Sequence, residues 1–192
     1  MIHSKKELRK FLQLDALASG RSSTRAKVFG DEIWKFQIAL RHLEFGSQLL
    51  GAARIYYAPL QIWFRLRYHA LSLKLGYSIP LNVFDSGLCI VHRGTIVVSK
   101  GAIIGRNCRI HEGVTIGATN GNDRAAVIGN NVFISAGAKI IGNVNIANDV
   151  AIGANAVVVC SITEPGTTWG GVPAKKISDH SSRANLDRHI QI

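Results

Sequence analysis

The strongest constraint on this chain is an aliphatic residue that recurs every six residues or, once, after twelve. A six-residue unit provides one short strand and one corner, and it cannot bury its own apolar side chain. Stacked units can do so, because each coil pairs its backbone with the coils above and below. The repeat therefore predicts a stacked coil with this row pointing inward. Its nine members are Ile104, Ile110, Ile116, Ile128, Ile134, Ile140, Ile146, Ile152 and Val158.

The first 75 residues have a different character. They contain 13 Lys and Arg against 5 Asp and Glu, and their apolar residues follow helical spacing. We therefore predict an α-helical domain over 1–75, a repeat domain over 76–178 and a C-terminal tail over 179–192. A capping box at Ser4 and Glu7 marks the start of the first helix. Asp31–Glu32 and Gly46 mark the ends of a second helix. Pro59 is expected in the first turn of a third helix, which ends at Gly76.

Composition narrows the class of protein. Hydrophobic residues make up 47% of the 192, which excludes a disordered chain, and three dispersed cysteines provide no disulfide framework. No run of about 18 apolar residues or signal peptide is present, so we expect a cytoplasmic protein without a membrane span. The net charge of +11 favours a polyanionic partner. The basic, aromatic segment 54–74 fits packing between helices better than nucleic-acid binding, so we expect no nucleic acid.

The repeat resembles that of the hexapeptide-repeat acyltransferases, and within them the serine acetyltransferases. Residues 152–157 fit the family's repeat, and the resemblance covers about residues 76–178. It implies a left-handed parallel β-helix with a triangular cross-section, preceded by an N-terminal α-helical domain. It also implies a homotrimer, or a multiple of trimers, with active sites between subunits. Three segments match further: 87–98 resembles the stretch with the catalytic histidine, 117–124 the glycine-rich loop, and 169–175 the exit near coenzyme A.

The resemblance assigns a chemistry to His92. This histidine would be the general base that deprotonates a substrate hydroxyl as it attacks acetyl-CoA, the co-substrate, and no metal is expected. His92 precedes Ile110 by eighteen residues, so we predict it at an inward position of the coil where every later repeat is aliphatic. The residues expected to bind coenzyme A are Ala136, Gly137, Lys139, Gly153, Ala154 and Lys175.

The chain departs from the family around the acceptor. Tyr77 stands where the family has the acidic residue that orients the catalytic histidine. Val91 stands where the family has an acidic residue just before that histidine. Arg124 is kept and is expected to bind substrate. Asp85 could replace the orienting acid, although a solvated turn residue is the simpler interpretation. His111 is expected to lie near His92. A zinc site would need a third histidine, and none occurs between residues 112 and 179.

These features leave the acceptor open. L-serine comes first, by resemblance, which places the enzyme in cysteine biosynthesis. A sugar or polysaccharide hydroxyl comes second, since the family's acids are missing. A β-helical scaffold without catalysis is a further alternative. Serine carries an ammonium group, which needs a carboxylate beside His92. The candidates in the sequence are Asp85, Asp123 and Asp15.

Overall fold

The computed structural model describes residues 1–119, 121 and 123–186. Asn120 and Asn122 of the predicted loop, and 187–192 of the predicted tail, lie outside the described residues. The described chain forms three helices followed by short strands. They are α1 Lys5–Ala18, α2 Glu32–Ser47, α3 Gly51–Leu75, β1 Tyr77–Ser78, β2 Cys89–Ile90, β3 Ile96–Val98, β4 Ile103–Ile104, β5 Arg109–Ile110, β6 Thr115–Gly117, β7 Val127–Ile128, β8 Phe133–Ile134, β9 Lys139–Ile141, β10 Asn145–Ile146, β11 Ala151–Ile152, β12 Val157–Val158, β13 Thr168–Gly170, β14 Lys175–Ser178, and a 3₁₀ turn at Ser182–Asn185.

Successive strands visit three sheets in turn. Sheet 1 has the order β1-β3-β6-β9-β12, sheet 2 the order β4-β7-β10, and sheet 3 the order β2-β5-β8-β11-β13-β14. All pairs are parallel except β13 with β14. The chain therefore winds as a three-sided parallel coil, and β14 folds back on its last turn.

The inward row predicted from the repeat is confirmed, because all nine aliphatic residues are buried and belong to one hydrophobic cluster. Ile152 pairs with Ile134 at a spacing of eighteen residues, which is one coil of three repeats. Ile134 pairs with Ile110 at a spacing of twenty-four residues. The six extra residues of that coil lie in the glycine-rich segment between β6 and β7, where the sequence has its twelve-residue gap.

The predicted position of His92 is wrong. Ile90, not His92, pairs with Ile110, so this coil is twenty residues long. Ile90 is buried while His92 is exposed in the corner after β2. Two extra residues in the corner before β3 move the histidine out of the apolar interior and onto the surface.

The three predicted helices form, with one error in their bounds. Ser4 caps α1 by accepting a hydrogen bond from the Glu7 N–H at 3.1 Å, and Gly76 ends α3 with a φ of 79°. Pro59, expected in the first turn of α3, lies inside that helix, which begins at Gly51. A proline leaves one carbonyl without an intrahelical bond. Here the carbonyl belongs to Ile55 on an exposed face, where water can hydrogen-bond to it.

A buried ionic cluster joins the helices to the coil. The guanidinium of Arg41 contacts the carboxylates of Asp15 at 2.7 Å and Glu44 at 2.9 Å. Asp15 also accepts hydrogen bonds from the N–H groups of Gly87 and Leu88. These two residues immediately precede β2, so the cluster fixes the strand that leads into His92.

The helices and the coil also share apolar core. Phe36 and Leu40 of α2 belong to the same buried cluster as the inward row of the coil. The three-part domain division stays a prediction. Within the described residues, no helix combines the length and apolar character needed to cross a bilayer.

Candidate active site

Four corner segments stack along one edge of the coil, where sheet 3 passes into sheet 1. They comprise residues 91–95, 111–114, 135–138 and 153–156, and we call them the His92 edge. Backbone hydrogen bonds join each segment to the next: Gly113 N–H to the Thr95 carbonyl at 2.7 Å, Gly137 N–H to Glu112 at 2.9 Å, and Asn155 N–H to Ala136 at 2.9 Å. Side chains of separate repeats thus meet in one rigid column.

His92 lies at the first of these corners. Its backbone carbonyl accepts a hydrogen bond from the Tyr77 hydroxyl at 2.7 Å. Tyr77 stands where the family has an acid, and here it positions the histidine through the backbone rather than through the ring. The ring itself makes no hydrogen bond with the described residues. An exposed imidazole with open nitrogens can accept a proton from a bound hydroxyl.

His111 occupies the next corner, as the sequence predicted. Its ring lies 5.7 Å from that of His92 and 5.2 Å from that of Phe133, both edge-on. Burial and the nearby guanidinium of Arg109 lower the pKa of His111 below its usual value, which favours the neutral ring. Its Nε2 is buried and has no partner among the described residues.

Glu112 completes the group. Its carboxylate lies 3.9 Å from Nδ1 of His111, and its buried Oε2 has no hydrogen-bond partner among the described residues. Gly94 makes room for it: with a φ of 138°, a Cβ at this position would lie 2.8 Å from the Cβ of Glu112. The corner with His92 can therefore stack directly on the corner with Glu112.

One ligand atom each from His92, His111 and Glu112 lies within 4.8 Å of the other two. Such a trio can surround an ammonium group, a hydroxyl group or a metal ion. No third histidine follows His111 before residue 180, but Glu112 supplies a third donor beside the two histidines. The group is thus chemically able to bind both a small polar acceptor and a divalent ion.

Four of the residues expected to bind coenzyme A lie on the His92 edge. Ala136 and Gly137 form the corner after β8, and Gly153 and Ala154 the corner after β11. Gly137 has a φ of 73°, and a Cβ there would lie 2.0 Å from Oδ1 of Asn155, so this position favours glycine. The column beyond His111 therefore presents small side chains.

The two predicted lysines are placed differently. Lys139 begins β9, and its ammonium group donates a hydrogen bond to the Gly113 carbonyl, which braces the corner with Glu112. Lys175 lies in β14, is exposed, and pairs through its backbone position with Gly170 of β13.

None of the expected acids has a described contact with His92. Asp15 is buried against Arg41, and Asp123 is exposed with Lys100 as its ion-pair partner at 3.4 Å. Asp85 bonds the N–H of Ser86, and no described contact joins it to His92. Arg124 is exposed in the segment between β6 and β7. Asp15 as an acid for the acceptor was thus wrong.

Sequence reasoning missed Glu112. The available signal was its position directly after His111, which the spacing had already placed beside His92. The acid was overlooked because the family's acids precede the catalytic histidine in the chain, whereas Glu112 arrives from the next coil.

Known proteins resemble this chain in sequence and overall fold. No family model matches the chain. A serine acetyltransferase of Synechococcus elongatus is 33% identical over 154 residues, which cover 77% of this chain and 63% of that protein. A solved structure from Brucella melitensis is described as a bacterial transferase hexapeptide repeat and a serine O-acetyltransferase. It superposes on this chain with a TM-score of 0.67 at 27% sequence identity. The superposition covers 92% of this chain and 69% of the Brucella chain. The chain is thus similar in sequence and fold to hexapeptide-repeat serine acetyltransferases.

Another similar solved structure is that of the Neisseria gonorrhoeae serine acetyltransferase in complex with serine. It has a TM-score of 0.64 and 26% identity, covering 91% of this chain and 71% of its own. This chain spans less than two thirds of the length of the curated relatives that it matches.

Proposed function

We propose that this protein transfers the acetyl group of acetyl-CoA to the hydroxyl of L-serine, giving O-acetyl-L-serine, with His92 as general base. The observation that carries the proposal is the grouping of His92, His111 and Glu112 on one edge, next to a column of small residues. Serine acetyltransferase is also the name of its curated relatives.

In the proposed reaction a ring nitrogen of His92 takes the hydroxyl proton of serine while the oxygen attacks the thioester carbonyl carbon. The carbon–sulfur bond of the tetrahedral intermediate then breaks, and the coenzyme A sulfur receives the proton from the imidazolium. Proton transfer by a positioned group of this kind contributes about 10²- to 10⁴-fold to the rate.

Glu112 is assigned to the ammonium group of serine. An unpaired buried ammonium costs several kcal/mol, so a serine site must contain an acid. The oxygen of Glu112 and the ring nitrogen of His92 lie within 4.8 Å of each other. This separation suits an ammonium and a hydroxyl on adjacent carbon atoms. Arg124 remains the proposed partner of the serine carboxylate.

Acetyl-CoA is assigned to the column of small residues at Ala136, Gly137, Gly153 and Ala154. Side chains larger than a methyl group would obstruct a narrow pantetheine chain there. Lys175, exposed at the exit from the coil, is proposed to contact a phosphate group. Lys139 is assigned to bracing the Glu112 corner, because its ammonium group is already used there.

The remaining parts of the proposal concern handedness and assembly. We infer a left-handed coil, a cytoplasmic location and a homotrimer in which a neighbouring subunit covers the open His92 edge. Exposure of a general base on the surface of one chain supports the trimer, because acyl transfer gains from the exclusion of water. A stable and active monomer in sedimentation would refute the shared site.

The first experiment measures thiol release from acetyl-CoA with serine as acceptor. His92→Ala should lower turnover by at least about 10²-fold while coenzyme A affinity stays within a factor of two. His69→Ala, an exposed histidine on α3, is the matched control and should retain full turnover. Wild-type turnover in His92→Ala would exclude the base. Coenzyme A binding without turnover on any acceptor would favour a scaffold.

A neutral sugar hydroxyl is the second candidate acceptor, because none of the acids expected beside His92 has a described contact with it. Glu112 is the carboxylate that groups with the two histidines among the described residues. Glu112→Gln separates the two. If serine is the acceptor, loss of the charge should raise the KM for serine at least tenfold and change kcat less. If the KM for serine is unchanged in Glu112→Gln, and both the wild type and this variant acetylate a sugar, the acceptor is the sugar.

A further inference from the structure

Helix α3 presents an apolar face to solvent along most of its length. Ile55, Ile62, Leu66 and Leu73 recur at helical spacing and so share one side. Tyr56 and Trp63 flank them, and the six side chains are between 48% and 87% exposed. We call these six residues the α3 outer face. Scattered exposed apolar residues are ordinary, but a continuous stripe marks an interaction surface.

The opposite side of α3 accounts for its packing within the protein. Phe64 is buried in a cluster with Ala39 and Leu43 of α2, and Leu75 enters the core of the coil. The α3 outer face is therefore not needed to attach the helix to the rest of the chain.

Positive charge borders this face. Helix α3 contains Arg54, Arg65, Arg67 and Lys74 and no acidic residue. Lys74 pairs with Glu32, and the guanidinium of Arg67 lies 4.7 Å from the Trp63 ring. Among the described residues, no carboxylate forms an ion pair with Arg54 or Arg65. The border thus keeps uncompensated positive charge next to exposed apolar side chains.

Arg54 and Arg65 also line a groove between α2 and α3. The groove has a volume of about 400 Å³, and Ile62 of the α3 outer face contributes to its wall. Two guanidinium groups beside an open groove of this size suit a phosphate headgroup, and the adjoining apolar stripe suits acyl chains.

We infer that the α3 outer face docks on the surface of an anionic phospholipid bilayer. The helix would lie in the plane of the interface, with its apolar side chains among the acyl chains and its arginines at the headgroups. A two-fold contact between two copies of this helix fits less well, because it would bring like charges together without an acid on either α3. The inference does not depend on the proposed acetyl transfer.

The experiment is cosedimentation of the full chain with vesicles of phosphatidylcholine, with and without phosphatidylglycerol. Binding is expected only with phosphatidylglycerol and should weaken as salt rises. Leu66→Asp should abolish binding. Arg54→Gln combined with Arg65→Gln should weaken it about 10- to 30-fold, since each basic residue near an anionic surface contributes about fivefold. Trp63 offers a second readout, as its fluorescence should shift to the blue on binding and Trp63→Phe should remove the shift.

Matched controls separate this face from general charge and hydrophobicity. Val159→Asp places an acid at an exposed apolar residue elsewhere, and Lys6→Gln with Arg9→Gln removes two charges from α1. Both should bind as wild type. Equal binding to both vesicle types, or full binding by Leu66→Asp with a native circular dichroism spectrum, would overturn the inference. A dimer in sedimentation that Leu66→Asp dissolves would assign the face to a second copy instead.

Discussion

Replacement of Asp15 by alanine tests whether the helices hold the strand that leads to His92. The Asp15 carboxylate is fully buried, contacts Arg41 at 2.7 Å and accepts the N–H groups of Gly87 at 2.7 Å and Leu88 at 2.9 Å. Burial alone would lower the pKa of the Arg41 guanidinium, but the carboxylates of Asp15 and Glu44 raise it above its ordinary value. Arg41 therefore stays charged and needs both acids.

The expected loss of folding stability follows from the charged and polar groups that the substitution leaves without partners. Removing one partner of a buried ion pair costs about 3–5 kcal/mol, because the remaining charge loses its compensation. Two buried N–H groups also lose their acceptor, at about 1–3 kcal/mol each. Glu44 still neutralises part of the Arg41 charge. After local relaxation, water can also hydrogen-bond to the N–H groups that lost Asp15. We therefore expect a total of about 4–6 kcal/mol, near the stability of many small domains.

Urea unfolding followed by circular dichroism measures this change, with Asp123→Ala as the matched control. Asp123 pairs with Lys100 in an exposed position, so its removal should cost less than about 1 kcal/mol. If Asp15→Ala unfolds at the wild-type urea midpoint, the buried cluster does not anchor the helices. Asp15→Asn keeps one acceptor for an N–H group and should lose less than the alanine variant.

Two further predictions concern pH and metals. Burial lowers the pKa of His42 from 6.5 to about 4, so the folded state favours the neutral ring while the unfolded chain takes up a proton below pH 6.5. Stability should thus fall by about 2–3 kcal/mol as pH drops from about 6.5 to about 4, and His42→Gln should flatten this dependence in urea titrations at each pH. Acetyl transfer with His92 as base needs no metal ion, so EDTA should leave turnover unchanged. Loss of turnover that zinc restores would instead assign His92, His111 and Glu112 as metal ligands.

The site shows where sequence reasoning stops. The spacing of His92 and His111 predicted that the two histidines are neighbours, and their rings lie 5.7 Å apart. The same spacing placed His92 on the inward row, which is wrong, because the first coil is two residues longer than the repeat. Corners tolerate such insertions, since the strands on either side can keep their pairing. A regular period therefore predicts strands better than it predicts corners, and the site lies at corners.

The sequence alone determined the interior of the coil. Each six-residue unit must bury one aliphatic side chain and turn one corner, so the period marks the buried row residue by residue, as Ile104 to Val158 confirm. Local signals also determined the cap at Ser4 and the end of α3 at Gly76. These features depend on residues a few positions apart, whose contacts are present in any fold that forms the element.

Only the tertiary structure decided which acids serve the site. Asp15 and Glu112 are both carboxylates near histidine or arginine in the folded chain, yet one is buried as an anchor for Arg41 and the other faces His92. Their roles depend on which coil stacks on which corner and on how α1 meets β2. Those contacts join residues that are distant in sequence, so no local pattern encodes them.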